Sequence, residues 1–250
     1  MIDANTRILL KELKMPELAD IVERQESIPE FTSMDFISRL QYAIQDLHSD
    51  KMEERNRLRI KNATFKYPEA DLCKVMNNDE RKLDMVAINN LGTSNYINHH
   101  TNIAFIGSTG CGKSYLACAL GVRACNLGLR VKFYRLPDLM ADFNCIETPQ
   151  QKKRMLRMLA NYDLLILDEW LSLVPTVEQR EFLFEIIEKR ECTHSTIYCS
   201  QYDFPEWYDR FGEESAMTES ILSRIVYSTV KIPFGNYNMR QYFESARKVY

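Results

Sequence analysis

Gly107-Ser108-Thr109-Gly110-Cys111-Gly112-Lys113-Ser114 is the stretch whose residue types and spacing could do chemistry. It fits G-x-x-x-x-G-K-[ST], the Walker A template for a loop that cradles phosphates. Glycines allow the tight turn that aims consecutive backbone N–H groups at phosphate oxygens. Lys113 would supply a point charge for the β- and γ-phosphates, and Ser114 a hydroxyl ligand for Mg²⁺. Four apolar residues, Ile103–Ile106, run into the loop as a buried strand, and the apolar run 115–127 leaves it as a helix. A helix N-terminus favours an anion. The expected nucleotide-binding set is therefore Gly107, Ser108, Thr109, Gly110, Cys111, Gly112, Lys113, Ser114 and Tyr115.

A second cluster lies about fifty residues on, in Asp163-Leu-Leu-Ile-Leu-Asp168-Glu169. The apolar run reads as a buried strand with two carboxylates at its carboxyl end. By itself this is an ordinary strand ending; after a Walker A loop it supplies the other half of the site. Asp168 is placed to hold Mg²⁺, as a Walker B aspartate does. Glu169 is placed to orient and deprotonate an attacking water, so the pair suits ATP hydrolysis better than transfer to a small molecule. Gln201, after the apolar strand ending in Cys199-Ser200, could touch the attacking water or the γ-phosphate, or simply be a polar residue in a turn. Arg224, at the edge of the apolar face set by Ile221, Leu222 and Ile225, could serve a neighbouring subunit as an arginine finger. It could equally make a surface ion pair.

The elements that must position these groups are legible from periodicity. Strands are expected at 103–106, 131–134, 164–167, 197–199 and 230–232, with helices at 113–127, 138–143, 152–161, 178–189 and 218–225. Continuous apolar strands alternating with helices predict a parallel sheet covered on both faces, with ligands at the carboxyl ends of its strands. Thr176-x-x-Gln179 reads as a capping box. Residues 1–67 read as wholly helical, a small domain ahead of a linker and the α/β domain at 68–250. Ile8, Leu9, Leu10 and Leu13 form a short apolar face, and Thr32-x-x-Asp35 signals the start of a long helix. On that helix Lys51, Arg55, Arg57, Arg59 and Lys61, followed by Lys66, meet only Glu53 and Glu54. This run could contact DNA phosphates, or be a solvated helix face.

Composition sets the limits. The chain has 250 residues and a net charge of −3, so it is no polycation as a whole. No apolar run of 18 residues occurs, which predicts no transmembrane span, and the N-terminus shows no signal-peptide pattern. The seven cysteines include no C-x-x-C pair, which favours reduced thiols and a cytoplasmic location. His99 and His100 have no third ligand at metal-binding spacing and read as loop histidines.

Taken together, these pieces resemble the IstB family, helper ATPases of bacterial insertion-sequence transposition, and more distantly the helicase loader DnaC. The likeness spans the chain. It includes Leu9-Leu-Lys-Glu-Leu-Lys-Met-Pro16, Val131-Lys-Phe-Tyr-Arg-Leu-Pro-Asp-Leu139, Ser195-Thr-Ile-Tyr-Cys-Ser-Gln201 with Trp207, Ile221-Leu-Ser-Arg224-Ile-Val and Asn238-Met-Arg240. The resemblance implies an AAA+ P-loop NTPase domain with a five-stranded parallel sheet. It also implies homo-oligomers with ATP between subunits, binding to duplex DNA, and delivery of a cognate transposase to target DNA. Under it Gln201 takes the sensor-1 role, and Arg224 acts in trans. The loader alternative would hold a replicative helicase instead of a transposase. A non-hydrolysing DNA-binding protein with a vestigial P-loop is a further rival, opposed by the intact Lys113, Ser114, Asp168 and Glu169. Where family members often continue with Leu-Gly after the Walker B pair, this chain has Trp170-Leu171, so its surface there is expected to meet a different partner. The short stretch after Arg240 leaves no room for a full helical lid, which puts a sensor-2 role for Arg240 in doubt.

Overall fold

The computed structural model describes residues 1–78, 80–211 and 216–247. Asp79, which with Asn77 and Asn78 forms a turn-type stretch in the sequence, lies outside them. Contacts divide the chain into two units, Met1–Leu58 and Arg59–Tyr250.

The first unit is helical: α1 (Ala4–Glu12), α2 (Glu17–Glu26), the single turn α3 (Pro29–Thr32) and most of α4 (Phe36–Ala63). Its core is small, Ile21, Ala43 and Leu47 with Met15, Leu18 and Val22 packed on them. The α1 face expected from periodicity stays largely in solvent, since Ile8, Leu9 and Leu13 are all exposed. The long helix is capped by Asp35, whose carboxylate accepts from Ile37 N and Ser38 N. Thr32, the expected capping residue, instead donates its hydroxyl to Pro29 O within α3. An aspartate one residue before the helix can reach the free N–H groups of the first turn; a residue four positions back cannot.

The second unit is built on a five-stranded parallel sheet in the order β2-β3-β4-β1-β5. The strands are β1 (Asn102–Ile106), β2 (Val131–Arg135), β3 (Leu164–Asp168), β4 (Ser195–Ser200) and β5 (Thr229–Pro233). All five expected strands are present, each extended by one to three residues. One face carries α7 (Lys113–Asn126) and the segment before the sheet, including Ala63, Phe65, α5 (Met85–Gly92) and α6 (Asn95–Asn98). The other face carries α8 (Leu136–Asn144), α9 (Pro149–Ala160), α10 (Val177–Arg190), α11 (Phe204–Phe211) and α12 (Ala216–Tyr227). A last helix, α13 (Met239–Arg247), follows β5. Both α9 and α10 begin with full capping boxes, from Thr148 with Gln151 and Thr176 with Gln179.

Trp170 and Leu171, which depart from the family pattern, are fully buried. They belong to the core, and the side chains offered to solvent there are Leu173 and Val174. Among the described residues no helix is long and apolar enough to cross a membrane.

Candidate functional site

β1 ends at Ile106, and the chain turns at once into the Walker A loop. Gly110 and Gly112 have φ of +85° and +97°, a left-handed backbone that side chains oppose. Lys113 opens α7 and is 8% exposed. Its ammonium folds back into the loop, donating to Gly107 O at 2.6 Å and Ser108 O at 2.8 Å. The cation thus sits inside the nest that phosphates would enter, on acceptors they can replace. Cys111 is buried beneath it, 3.6 Å from Nζ. Tyr115 faces the segment before the sheet, where its hydroxyl accepts from Asp71 N at 3.3 Å.

The parallel register brings β3 to the same end of the sheet. Ser114 Oγ donates to Asp168 Oδ1 at 2.8 Å, joining the two predicted halves of the site directly. Asp168 Oδ2 is buried with no hydrogen-bond partner among the described residues; Lys66 Nζ lies 4.0 Å from it. Desolvation raises the Asp168 pKa, and the Ser114 hydrogen bond opposes this. A buried carboxylate with one spare oxygen, beside a serine hydroxyl, is a fitting donor set for a hard divalent cation such as Mg²⁺. Between β3 and the P-loop strand β1 runs β4, and Gln201 at its end accepts from Thr109 Oγ1 at 2.7 Å. The structure therefore brings Gln201, the loop, Ser114 and Asp168 together.

Glu169 is adjacent but turned away. Its backbone is left-handed, φ +57°, and its carboxylate meets Arg135 at the end of β2. The contact is two-pronged, Nη2–Oε2 2.8 Å and Nε–Oε1 3.2 Å. In the strand order β2 and the P-loop strand β1 lie on opposite sides of β3, so this pair points Glu169 away from the loop. It lines a cavity of about 530 Å³ with Thr64, Lys66, Phe133, Tyr134 and Asp138. Arg135 was not among the predicted site residues, although a cation at the carboxyl end of a strand is a readable signal.

Arg224 is remote from its own chain's loop. It lines a small recess beside the start of β1, with Asn102 and Ser228. There it pairs with Glu191 at 2.9 Å and donates to Ser220 O at 3.1 Å. Arg240 is exposed, and its backbone N–H donates to Asn238 Oδ1. The cations of α4 do not form one stripe. At 100° per residue Lys51, Arg55 and Arg59 share one side, and Arg57 and Lys61 lie roughly 140° round the helix. Arg55, Arg57 and Lys61 are exposed. Lys51 is partly engaged, by Lys14 O and Glu17. One further cation was not anticipated at all: Arg81, buried against the P-loop and donating to Cys111 O at 3.2 Å. It sits in a loop between helices, and no periodicity or motif marks it.

The model of a family described as IstB-like ATP binding protein matches residues 8–246. The protein named as the ATP-binding protein of insertion sequence IS1162, from Pseudomonas fluorescens, is 33% identical over 204 residues, covering 80% of this chain and 87% of that one. Its counterpart for IS21 from Pseudomonas aeruginosa is 28% identical over 240 residues, covering 94% and 88%. Among solved structures, the DnaC helicase loader superposes with a TM-score of 0.58 at 23% identity, covering 67% of this chain and 98% of that one. That likeness concerns the fold.

Proposed function

The chain belongs to the IstB-like ATP binding protein family, and from that premise we propose that it is a Mg²⁺-dependent ATPase that assembles on duplex DNA and recruits or activates a transposase there. The observation that carries the reading is the 2.8 Å contact between Ser114 and Asp168. It unites a phosphate-binding loop with a strand-end carboxylate that keeps one buried oxygen free. The relatives named for insertion sequences support the transposition context.

Each residue then has a task. The N–H groups of the loop hold the phosphate chain, and Lys113 exchanges two carbonyl partners for the β- and γ-phosphates. Ser114 and Asp168 would hold Mg²⁺, which when bound neutralises phosphate charge. Glu169 takes a proton from the attacking water once it has left Arg135. Gln201, already bonded to Thr109, orients that water or the γ-phosphate. Arg224 cannot serve the loop of its own chain from beside the start of β1, which agrees with a role in trans across a homo-oligomer. The exposed cations of α4 meet DNA phosphates. We place the protein in the cytoplasm, where its seven cysteines, all thiols in the structure, stay reduced.

Phosphate release by the full chain, with and without duplex DNA, tests the reading. Hydrolysis should rise with DNA and disappear in Glu169→Gln. A parent protein that binds no ATP would refute it. Capture of a replicative helicase instead of a transposase in a full-chain pull-down would move the assignment to a loader.

A further inference from the structure

Arg81 is 3% exposed. Its Nε donates to Cys111 O and its Nη1 to Met76 O, and the guanidinium lies 5.6 Å from the centre of the Phe234 ring. The remaining terminal nitrogen, Nη2, rests against Gly112, where any Cβ would collide with it. Among the described residues Nη2 forms no hydrogen bond and no carboxylate lies within ion-pair distance of Arg81. A second arginine shows what a purely structural solution looks like here. Arg190 is equally buried, yet its guanidinium is spent on Leu159 O, Tyr162 O, Ser195 O and Thr196 Oγ1.

The location sharpens the contrast. A guanidinium keeps its charge, and a buried charge is costly unless paired. Arg81 also stands beside the N-terminus of α7, the positive end of a helix dipole. Among the described residues nothing that pairs with it is negative. An anion in the loop would be attracted by the helix end, by Lys113 and by Arg81 together. We propose that Arg81 is a nucleotide-binding residue of this site, its free Nη2 donating to a phosphate oxygen of the bound nucleotide. The inference rests on the ATP-site reading above and adds a ligand from outside the Walker motifs.

The same residue ties that contact to the last segment of the chain. Arg81 O accepts from Gly235 N at 2.9 Å, Phe234 N donates to Ile106 O at 2.7 Å, and Met239 N donates to Gly110 O at 2.9 Å. A phosphate held by Arg81 therefore pulls on the strap that leads into α13.

The test compares parent, Arg81→Gln and Arg81→Lys as full chains, with mant-ATP in Mg²⁺ buffer as the probe. Melting temperatures are taken with and without ATP. Loss of a charged hydrogen bond should weaken mant-ATP binding by about 10- to 100-fold in Arg81→Gln. Arg81→Lys, which keeps the charge but loses the fork, should fall between. The nucleotide-free Arg81→Gln protein should melt close to the parent temperature, because removing a buried cation without a counter-ion offsets the loss of its hydrogen bonds to Cys111 O and Met76 O. Its ATP-induced stabilisation should shrink. An affinity within twofold of the parent overturns the proposal. So does an ATP-induced stabilisation of Arg81→Gln equal to the parent's, which would make Arg81 structural. Should Arg81→Gln not fold, Arg81→Lys decides alone, and parent-like affinity in it overturns the proposal. A parent that binds no mant-ATP refutes the ATP-site reading itself, whereas a binding parent with unaffected variants refutes only the role of Arg81.

Discussion

Replacing Arg135 with Met should speed ATP hydrolysis. The pair with Glu169 is two-pronged, at 2.8 and 3.2 Å, and its side chains are 42% and 33% exposed. At such exposure solvent screens most of the attraction, so about 1 kcal/mol is a fair value even for good geometry. That energy favours the docked carboxylate by a factor of about five. Glu169 must undock to meet water beside the P-loop, because β2 lies on the far side of β3. If undocking precedes chemistry, Arg135→Met should raise kcat up to about fivefold, with mant-ATP affinity unchanged. Met keeps much of the stem that packs in the cavity, so the change is chiefly electrostatic. The gain should also shrink as salt rises, since screening loosens the parent pair but leaves the variant alone. Phosphate release under saturating ATP, at low and high salt, reads all of this. A variant as slow as Glu169→Gln would refute the reasoning, and Arg135 would then be the group that positions the base.

Four other outcomes are expected. Lys113→Ala should lose ATP binding, whereas Glu169→Gln should bind ATP and lose about 10²- to 10⁴-fold in hydrolysis; unchanged turnover removes Glu169 from the mechanism. Changing Arg55, Arg57 and Arg59 to Ala should flatten the salt dependence of duplex binding by up to about 0.9 in log–log slope per lost phosphate contact. An unchanged slope makes α4 a solvated face. Arg224→Ala should bind ATP yet hydrolyse it slowly, and mixing it with Lys113→Ala should restore activity if mixed oligomers form; a dead mixture refutes the trans role. Finally, Lys231 holds the Asp203 carboxyl below its ordinary pKa. A depressed acid stabilises the fold fully above the unfolded pKa, about 3.9, and loses that contribution as pH falls through the folded value. Asp203→Asn should therefore lower the urea midpoint more at pH 6 than at pH 2, and equal losses at both would refute the linkage.

The sheet and the loop were legible because their signals are local. Each strand is a continuous apolar run, and the Walker A spacing carries its own geometry. Ends were less so: Asp168 and Ser195 extend strands with polar residues that backbone pairing, and not hydropathy, recruits. The helix α11 escaped notice because it is only eight residues long and opens on Phe204-Pro205, although Phe204, Trp207 and Phe211 share one apolar face. The α1 stripe of Ile8, Leu9 and Leu13 was visible, but periodicity cannot say whether a face finds a core. Asp168 and Glu169 were both read as site residues, yet only their packing shows that one faces Ser114 and the other Arg135. Arg81 meets the P-loop through a contact 30 positions away in sequence, and no local pattern encodes it.

The aromatic cluster beneath the strand ends gives the site its own fluorescent reporter. The chain has two tryptophans. Trp170 directly follows Glu169, and its ring packs edge-on against Tyr198 at 4.8 Å and Trp207 at 5.9 Å. Trp207 donates from its indole to Ser200 Oγ at 3.2 Å, one residue before Gln201. Both indoles are dry, and each is tethered to a strand end that carries a proposed catalytic side chain. Trp170 is the next residue, so a backbone change that accompanies the departure of Glu169 from Arg135 alters the surroundings of its ring and hence its emission. Stopped-flow fluorescence of the unlabelled protein can therefore time the release of Glu169 separately from the release of phosphate.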